Sequence, residues 1–265
     1  MRAAGPERQL VEEIRDAYDG SAAAWATGPA SVYRHLAAAL IGVAPGPLAG
    51  ARVLDLGTGT GVASEVLSAA GARPIGLDLA PAMLAYQQAH RPSGVAGDAH
   101  ALPFRDGAFD AVISTFGVMF AADHAAAARE LARVCRPGGR LALIVWAPEG
   151  AVQEFLGIIG KYNPNPPPEP SPLAWGEPDH ATALLGDAFD LTFEDGVNNH
   201  FLGGVEAAWT WYAAGFGPMK ALIGALPPDE LAAFKQEIDA YHAGYRVPAG
   251  LHVKREYLAI LGRRR

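Results

Sequence analysis

The run Val53-Leu54-Asp55-Leu56-Gly57-Thr58-Gly59-Thr60-Gly61 constrains this chain more than any other stretch. A short, nearly continuous apolar segment stops at glycines spaced two apart, and helix-forming residues follow at 62–70. That texture reads as a buried strand, a tight turn and a helix start. Glycine is needed there because the turn is tight and a ligand must approach the backbone closely. The free amides at the helix start favour a negatively charged or polar group. Two ligands of such loops are disfavoured by single positions. A dinucleotide loop wants glycine or alanine where Val62 stands, and a phosphate loop wants a lysine that is missing.

The alternation continues downstream. The residue pattern predicts strands at 74–77, 94–96, 111–114 and 140–146, with helices at 81–89 and 121–134. Apolar runs alternating with helices indicate parallel strands joined by crossovers, with both sheet faces covered. Pro137-Gly138-Gly139 reads as the turn from the last helix into the fifth strand. Upstream, Leu10, Ile14, Ala17 and Tyr18 share one face of a helix over 7–20. Gly28-Pro29 interrupts, and Ser31 is the expected cap of a second helix running to about Ile41. After Trp146 the pattern loosens. Residues 163–172 are proline-dense and should form a stiff, extended loop. A strand is expected at 191–197, helical pieces over 205–245 with Asp229 as a cap, and a closing strand at 253–261.

Two acids strengthen the reading of the glycine loop. Asp78 closes the second strand, where a carboxylate can accept hydrogen bonds from both hydroxyls of a ribose. Asp98 ends the third strand, at the same carboxyl edge of the sheet, and can accept from an adenine amino group. Either acid alone is as well explained as a turn or cap residue. As a set after this loop they point to a nucleoside-containing ligand.

Composition removes other classes. The net charge is −7, and the sole basic cluster, Arg263-Arg264-Arg265, reads as a solvated tail, so no nucleic-acid partner is expected. One cysteine, Cys135, allows no intrachain disulfide and fits a reducing compartment. Met1 to Leu10 has no signal-peptide core, and the longest apolar stretch, near 36–44, is shorter than the ~20 residues that span a bilayer. The expectation is a cytoplasmic protein without membrane insertion.

These features together resemble the class I S-adenosylmethionine-dependent methyltransferases, within them the type 11 (ubiquinone/menaquinone-methyltransferase-like) group. The matching segments are 53–61, 76–84, 97–104, 109–112 and 130–139, in that order. The resemblance implies an α/β fold: a Rossmann-like, mostly parallel sheet of seven strands, helices on both faces, and a helical cap over the cleft. It divides the chain into an N-terminal helical lid (1–50), a cofactor-binding core (51–147), and cap helices with closing strands of the same domain (148–265). It implies S-adenosyl-L-methionine as cofactor and S-adenosyl-L-homocysteine as product. Gly57, Thr58 and Gly59 would pass under the methionine part, and Asp55 would orient the loop or meet the amino group. Asp78 would hold the ribose, Leu79 and Met83 would line the adenine site, and Asp98 with the Ala99 amide would read the adenine edge. Thr115 and Phe116 would lie beside the amino-acid end, with Tyr18 and Trp25 on the lid. Cys135 departs from the group's usual leucine and reads as a small buried hydrophobe.

The expected acceptor is a small organic metabolite methylated at oxygen, nitrogen or carbon, in secondary metabolism. Methyl transfer from a sulfonium gains rate from alignment, so no general base is required, and none is assigned. The amino-methylating motif is absent after the fourth strand, where Ser114-Thr115-Phe116-Gly117 stands; Asn165-Pro166-Pro167-Pro168 is a chance likeness in the proline loop. Asp195, Asn198 and Asn199 are near in sequence, but no metal is expected. Met119, Phe120, Trp146, Tyr162, His200 and Trp211 are the candidate substrate-binding residues, an aromatic and apolar set suited to small organic molecules. His124 is expected on a surface helix. Two alternatives stay open: a quinone-type carbon methyltransferase, and a cofactor-binding protein with a non-methylating role in cyclisation, rearrangement or regulation.

Overall fold

The apolar run 53–56 becomes an interior strand of one sheet, flanked on both sides. A computed structural model describes residues 6–90, 94–165 and 167–265, of which 6–10 and 88–90 are described by backbone alone. Met1–Gly5, the side chain of Leu10 and Pro166 of the proline loop lie outside the described residues. The strands are β1 (Arg52–Leu56), β2 (Arg73–Asp78), β3 (Gly94–Ala96), β4 (Phe109–Thr115), β5 (Cys135–Trp146), β6 (Phe189–Leu202), β7 (Arg246–Val247) and β8 (Gly250–Arg264). Their order is β3-β2-β1-β4-β5-β8-β6, with the two-residue β7 paired to β8. β1 to β5 pair in parallel, and β8 runs antiparallel between β5 and β6. The chain order reverses between β1 and β4, and open α/β sheets bind ligands at the carboxyl ends of the strands at such a point.

The crossovers explain the strand composition. The helices are α1 (Pro6–Asp19), α2 (Ala22–Thr27), α3 (Pro29–Val43), α4 (Val62–Ala69), α5 (Pro81–His90), α6 (His124–Val134), α7 (Ala151–Tyr162), α8 (Pro178–Leu185), α9 (Val205–Gly215), α10 (Gly217–Ala225) and α11 (Pro228–Ala243). Val53 and Leu54 point to opposite sheet faces and both are fully buried, which a strand covered on both sides requires. Truncating such a leucine to alanine costs about 2–5 kcal/mol. A second apolar cluster, centred on Phe155, Tyr212, Met219, Phe234 and Ile238, joins α7, α9, α10 and α11 into a cap. The lid helices dock on that cap through small residues: a Cβ on Gly217 would lie 2.6 Å from the Ala17 carbonyl, and one on Gly215 would lie 2.5 Å from Pro29.

Several local expectations are corrected. α3 begins at Pro29, two residues before Ser31, whose hydroxyl donates back to the Gly28 carbonyl (2.7 Å). α11 begins at Pro228, so Asp229 lies in its first turn, where its charge complements the helix dipole, rather than at the cap. Pro137-Gly138-Gly139 lies inside β5, at a register irregularity opposite Phe109–Ala111, and the chain already enters the sheet at Cys135. β6 and β8 are longer than their apolar runs because two long antiparallel strands pair along their whole length. Arg263-Arg264-Arg265 is no free tail: Arg264 donates to the Ala132 and Ala188 carbonyls and covers the Phe189 ring, and Arg265 pairs with Asp190. His124 is buried, not at the surface; its Nδ1 meets His180 Nε2 at 3.0 Å and its ring packs on Trp175. Among the described residues, no helix is long and apolar enough to cross a membrane.

Candidate active site

A cavity of about 210 Å³ opens over the carboxyl ends of β1, β2 and β4, between the lid and the cap. Its floor is the glycine loop. Gly57, Gly59 and Gly61 all have φ between +54° and +86°, a region that L side chains rarely adopt. The loop is held from beneath by Asp55, whose buried Oδ2 accepts from Thr58 Oγ1 (2.7 Å) and Ser64 Oγ (2.6 Å). Burial pushes the Asp55 carboxyl above its ordinary range, and these hydroxyl bonds pull it back part of the way. Of the two roles left open for Asp55, orienting the loop is the one these hydrogen bonds perform.

Asp78 stands at the end of β2. Its Oδ2 accepts from the Gly59 amide (2.7 Å) and its Oδ1 from the Ala80 amide (2.9 Å). Burial raises this carboxyl too, with a smaller push from Asp55. Two carboxylates at one end make that half of the cavity attractive to positive charge. Asp98 lies just past β3, tied to Asp78 by a bond from the Gly97 amide to the Asp78 carbonyl (3.0 Å). Its Oδ1 accepts from the His100 amide (2.9 Å) and meets His100 Nδ1 at 2.7 Å, which holds the carboxyl below its ordinary range. His100 Nε2 in turn accepts from the Asp123 amide (2.9 Å), so the bonds at both ring nitrogens place the proton on Nδ1.

β4 delivers the opposite wall. Thr115 Oγ1 is buried at the cavity with no partner, an arrangement that costs about 1–3 kcal/mol unless a ligand completes it. Phe116 has φ +64°, unusual for a bulky residue and costly by about 1–2 kcal/mol. Its ring is stacked on Trp146 (3.9 Å, 23°) and meets Tyr33 edge-on (5.2 Å). From there an aromatic chain runs through Trp25 (5.4 Å from Tyr33) and Tyr18 (5.5 Å from Trp25) to Phe120 (6.2 Å from Tyr18). Trp25 Nε1 lies 3.7 Å from where a Gly59 side chain would begin, so α2 packs directly over the loop. Asp19 anchors the lid by accepting from the Ala82 amide at the start of α5 (2.7 Å).

The cavity gathers Tyr18, Trp25, Asp55, Gly57, Thr58, Gly59, Asp78, Leu79, Met83, Asp98, Ala99, Thr115 and Phe116, and beside them Met119, Phe120 and Trp146. It does not gather Tyr162, His200 or Trp211. Tyr162 bonds Glu237 (3.0 Å) and packs on Phe234 inside the cap. His200 is buried behind the wall, its Nδ1 bonded to Arg255, and Trp211 packs against His200 (4.8 Å) and beside Gly28. Sequence reasoning passed over Tyr33, Phe155 and Arg255, which all line the cavity, as does Tyr212, expected there among the aromatics of the cap. For Arg255 a signal existed: it shares the period-two face of β8 with Leu251 and Val253, so a charge stands at an apolar position. Asp195, Asn198 and Asn199 lie along β6, with Asn198 near His35 (3.2 Å) and Asn199 near His252 (2.8 Å); no trio of metal-ligating residues occurs among the described residues. Cys135 is buried, which pushes its thiol up to about 11.

The strand order, the glycine loop and the acids at the ends of β1 and β2 define a class I Rossmann-like methyltransferase domain. Residues 54–143 match the family described as Methyltransferase domain. The chain is similar to an uncharacterized protein of Mycobacterium tuberculosis, 44% identical over 156 residues, 56% of each chain. It is also similar to a demethylmenaquinone methyltransferase of a Mycobacterium species, 39% identical over 132 residues, covering 50% of this chain and 56% of the relative. The chain thus spans little more than half the length of the curated relatives it matches. Among solved structures, the YcgJ protein from Bacillus subtilis superposes with a TM-score of 0.61 at 21% identity, covering 87% of this chain and 99% of that one, a likeness of fold.

Proposed function

We propose that this protein binds S-adenosyl-L-methionine over the glycine loop and transfers its methyl group to a small, largely apolar organic acceptor held beneath the lid and cap. The observation that carries the reading is the continuous cavity, acidic and glycine-floored at one end and aromatic at the other. The residues fit the cofactor: Asp78 offers acceptor oxygens to a ribose, the glycines leave room for close approach, and the orphan Thr115 hydroxyl offers a polar contact. When bound, the cofactor supplies a methyl group on a sulfonium, and S-adenosyl-L-homocysteine leaves as the methyl passes to the acceptor atom.

The chain's own contribution is binding and alignment. Asp55 holds the loop, Asp78 and Asp98 position the nucleoside, and Leu79 and Met83 pack its base. Phe116, Met119, Phe120 and Trp146 shape the acceptor space and exclude water. Tyr33 is held up to about 12 by burial, so at neutral pH it stays a neutral phenol. The rate comes from orientation, for which effective molarities reach about 10⁵ M or more. The same residues suit an enzyme of secondary metabolism better than one acting on a long isoprenoid quinone, because Arg255 places a charge in the acceptor wall.

The test is turnover. Purified protein incubated with methyl-labelled cofactor and a panel of aromatic and polyketide-like acceptors should release S-adenosyl-L-homocysteine in proportion to labelled product. Tight cofactor binding with no transfer to any acceptor would favour the non-methylating alternative.

A further inference from the structure

We propose that the acceptor carries a carboxylate and that Arg255 binds it, a specificity that rests on the methyltransferase reading above. Arg255 is 6% exposed and lines the cavity. Its Nη2 donates to His200 Nδ1 and to the Tyr212 hydroxyl, and its guanidinium lies over the Tyr212 ring, 5.6 Å from the centroid. Both partners are neutral: burial and the neighbouring cation hold His200 down at about 3, and burial raises the Tyr212 phenol. Among the described residues no Asp or Glu forms an ion pair with Arg255. A guanidinium taken out of water without a counter-charge costs several kcal/mol, so the protein keeps a penalty that an anionic ligand relieves.

The position assigns the anion to the acceptor and not to the cofactor. β8 lies three strand spacings from β1, roughly 14 Å at the usual ~4.8 Å per strand. Arg255 also lies two residues before Tyr257, the partner of Trp146, so it projects beyond the carboxyl end of β5 toward the cap. Around it the cavity is lined by Tyr33, Trp146, Phe155, Tyr212 and Phe216. Arg255 is the sole Lys or Arg among the described lining residues, which matches a monoanion. A phosphate dianion would leave a net negative charge in an aromatic chamber. The planar guanidinium suits a carboxylate, and His200 and Tyr212 act as positioning residues that hold its plane. The substrate class is therefore a small aromatic or otherwise apolar acid, gripped at the carboxylate with its nucleophilic atom toward the glycine loop.

The test is calorimetry on the whole protein saturated with S-adenosyl-L-homocysteine. Benzoate, 4-hydroxybenzoate, phenylacetate and 3-phenylpropionate are each titrated beside the corresponding amide. The proposal expects at least one acid to bind tenfold or more tightly than its amide. It expects Arg255→Gln to abolish that preference, Arg255→Lys to keep part of it, and both to leave S-adenosyl-L-homocysteine affinity within twofold. Acids that bind no better than amides to the wild type overturn it, as does a preference that survives in Arg255→Gln. A tenfold loss of S-adenosyl-L-homocysteine affinity in a cooperatively melting Arg255→Gln also overturns it, because Arg255 would then serve the cofactor. If Arg255→Gln does not fold, the wild-type acid–amide contrast and Arg255→Lys decide. Failure of the wild type to bind S-adenosyl-L-homocysteine at all is a different result, and it sinks the methyltransferase reading beneath this one.

Discussion

Gly57 and Gly117 meet backbone to backbone: a Cβ on Gly57 would lie 2.5 Å from the Gly117 Cα, and a Cβ on Gly117 would lie 2.6 Å from the Gly57 Cα. The turn after β1 and the turn after β4 are pressed together at the point where the strand order reverses. Ser114 ties the same junction, donating to the Leu56 carbonyl (2.8 Å) and accepting from the Val118 amide (2.9 Å). Gly57 also has φ +68°, whereas Gly117 has φ −71°, open to any residue. Gly117→Ala therefore separates crowding from backbone strain. It is expected to weaken S-adenosyl-L-homocysteine binding at least tenfold in calorimetry while the protein still melts cooperatively; unchanged affinity would show that the two turns can part freely.

Gly157 is the counterexample. It lies within α7, and a Cβ there meets nothing within 4 Å. Gly157→Ala should stabilise by about 0.5–1 kcal/mol through helix propensity. In a chain of this size that raises Tm by about 2 °C, without change in cofactor affinity. A fall in Tm would mean that the α7 surface is engaged by something other than solvent.

Trp25 bridges lid and loop, between Tyr18, Tyr33 and the Gly59 backbone. Trp25→Ala removes the ring that covers the loop and is expected to raise the cofactor off-rate at least tenfold in stopped-flow displacement. Asp19→Ala, which cuts the anchor to Ala82, should give a smaller increase of the same sign. Equal off-rates in all three proteins would mean that the lid does not retain the cofactor.

Acid should loosen the fold through its buried histidines. Burial holds His124 and His242 at about 4 and His200 at about 3, below the ordinary 6.5. For such groups the stabilising contribution is complete above pH 6.5 and is lost as pH falls toward the folded value. Asp55 and Asp78, raised by burial, act in the opposite direction. Comparing wild type with His124→Asn isolates one contribution: the drop in Tm between pH 7.5 and pH 5 should be smaller in the variant. An identical drop would place the loss elsewhere.

The glycine-floored end of the cavity was legible because its signals are local. Glycines forced by positive φ, and acids at the ends of apolar runs, mark themselves within a few residues. The aromatic end was not. Arg255, Tyr33 and Phe155 come from β8, α3 and α7, and only the sheet and the cap bring them together. Tyr162 and Trp211 belong to a cap cluster whose composition matches that of a pocket, so aromatic content alone misplaced them. His124 looked exposed because its burial comes from Trp175 and His180, far along the chain.

The central claim is that the glycine loop and Asp78 hold S-adenosyl-L-methionine, and calorimetry on the wild type, Asp78→Asn and Asp78→Ala tests it most directly. The asparagine variant would keep one acceptor oxygen and lose the charge, and the alanine variant would also leave the Gly59 amide without its acceptor. The account predicts micromolar binding by the wild type, weakened at least tenfold, about 1.4 kcal/mol, in Asp78→Ala and less in Asp78→Asn. Wild-type affinity in a folded Asp78→Ala, or no binding by the wild type at all, would contradict it.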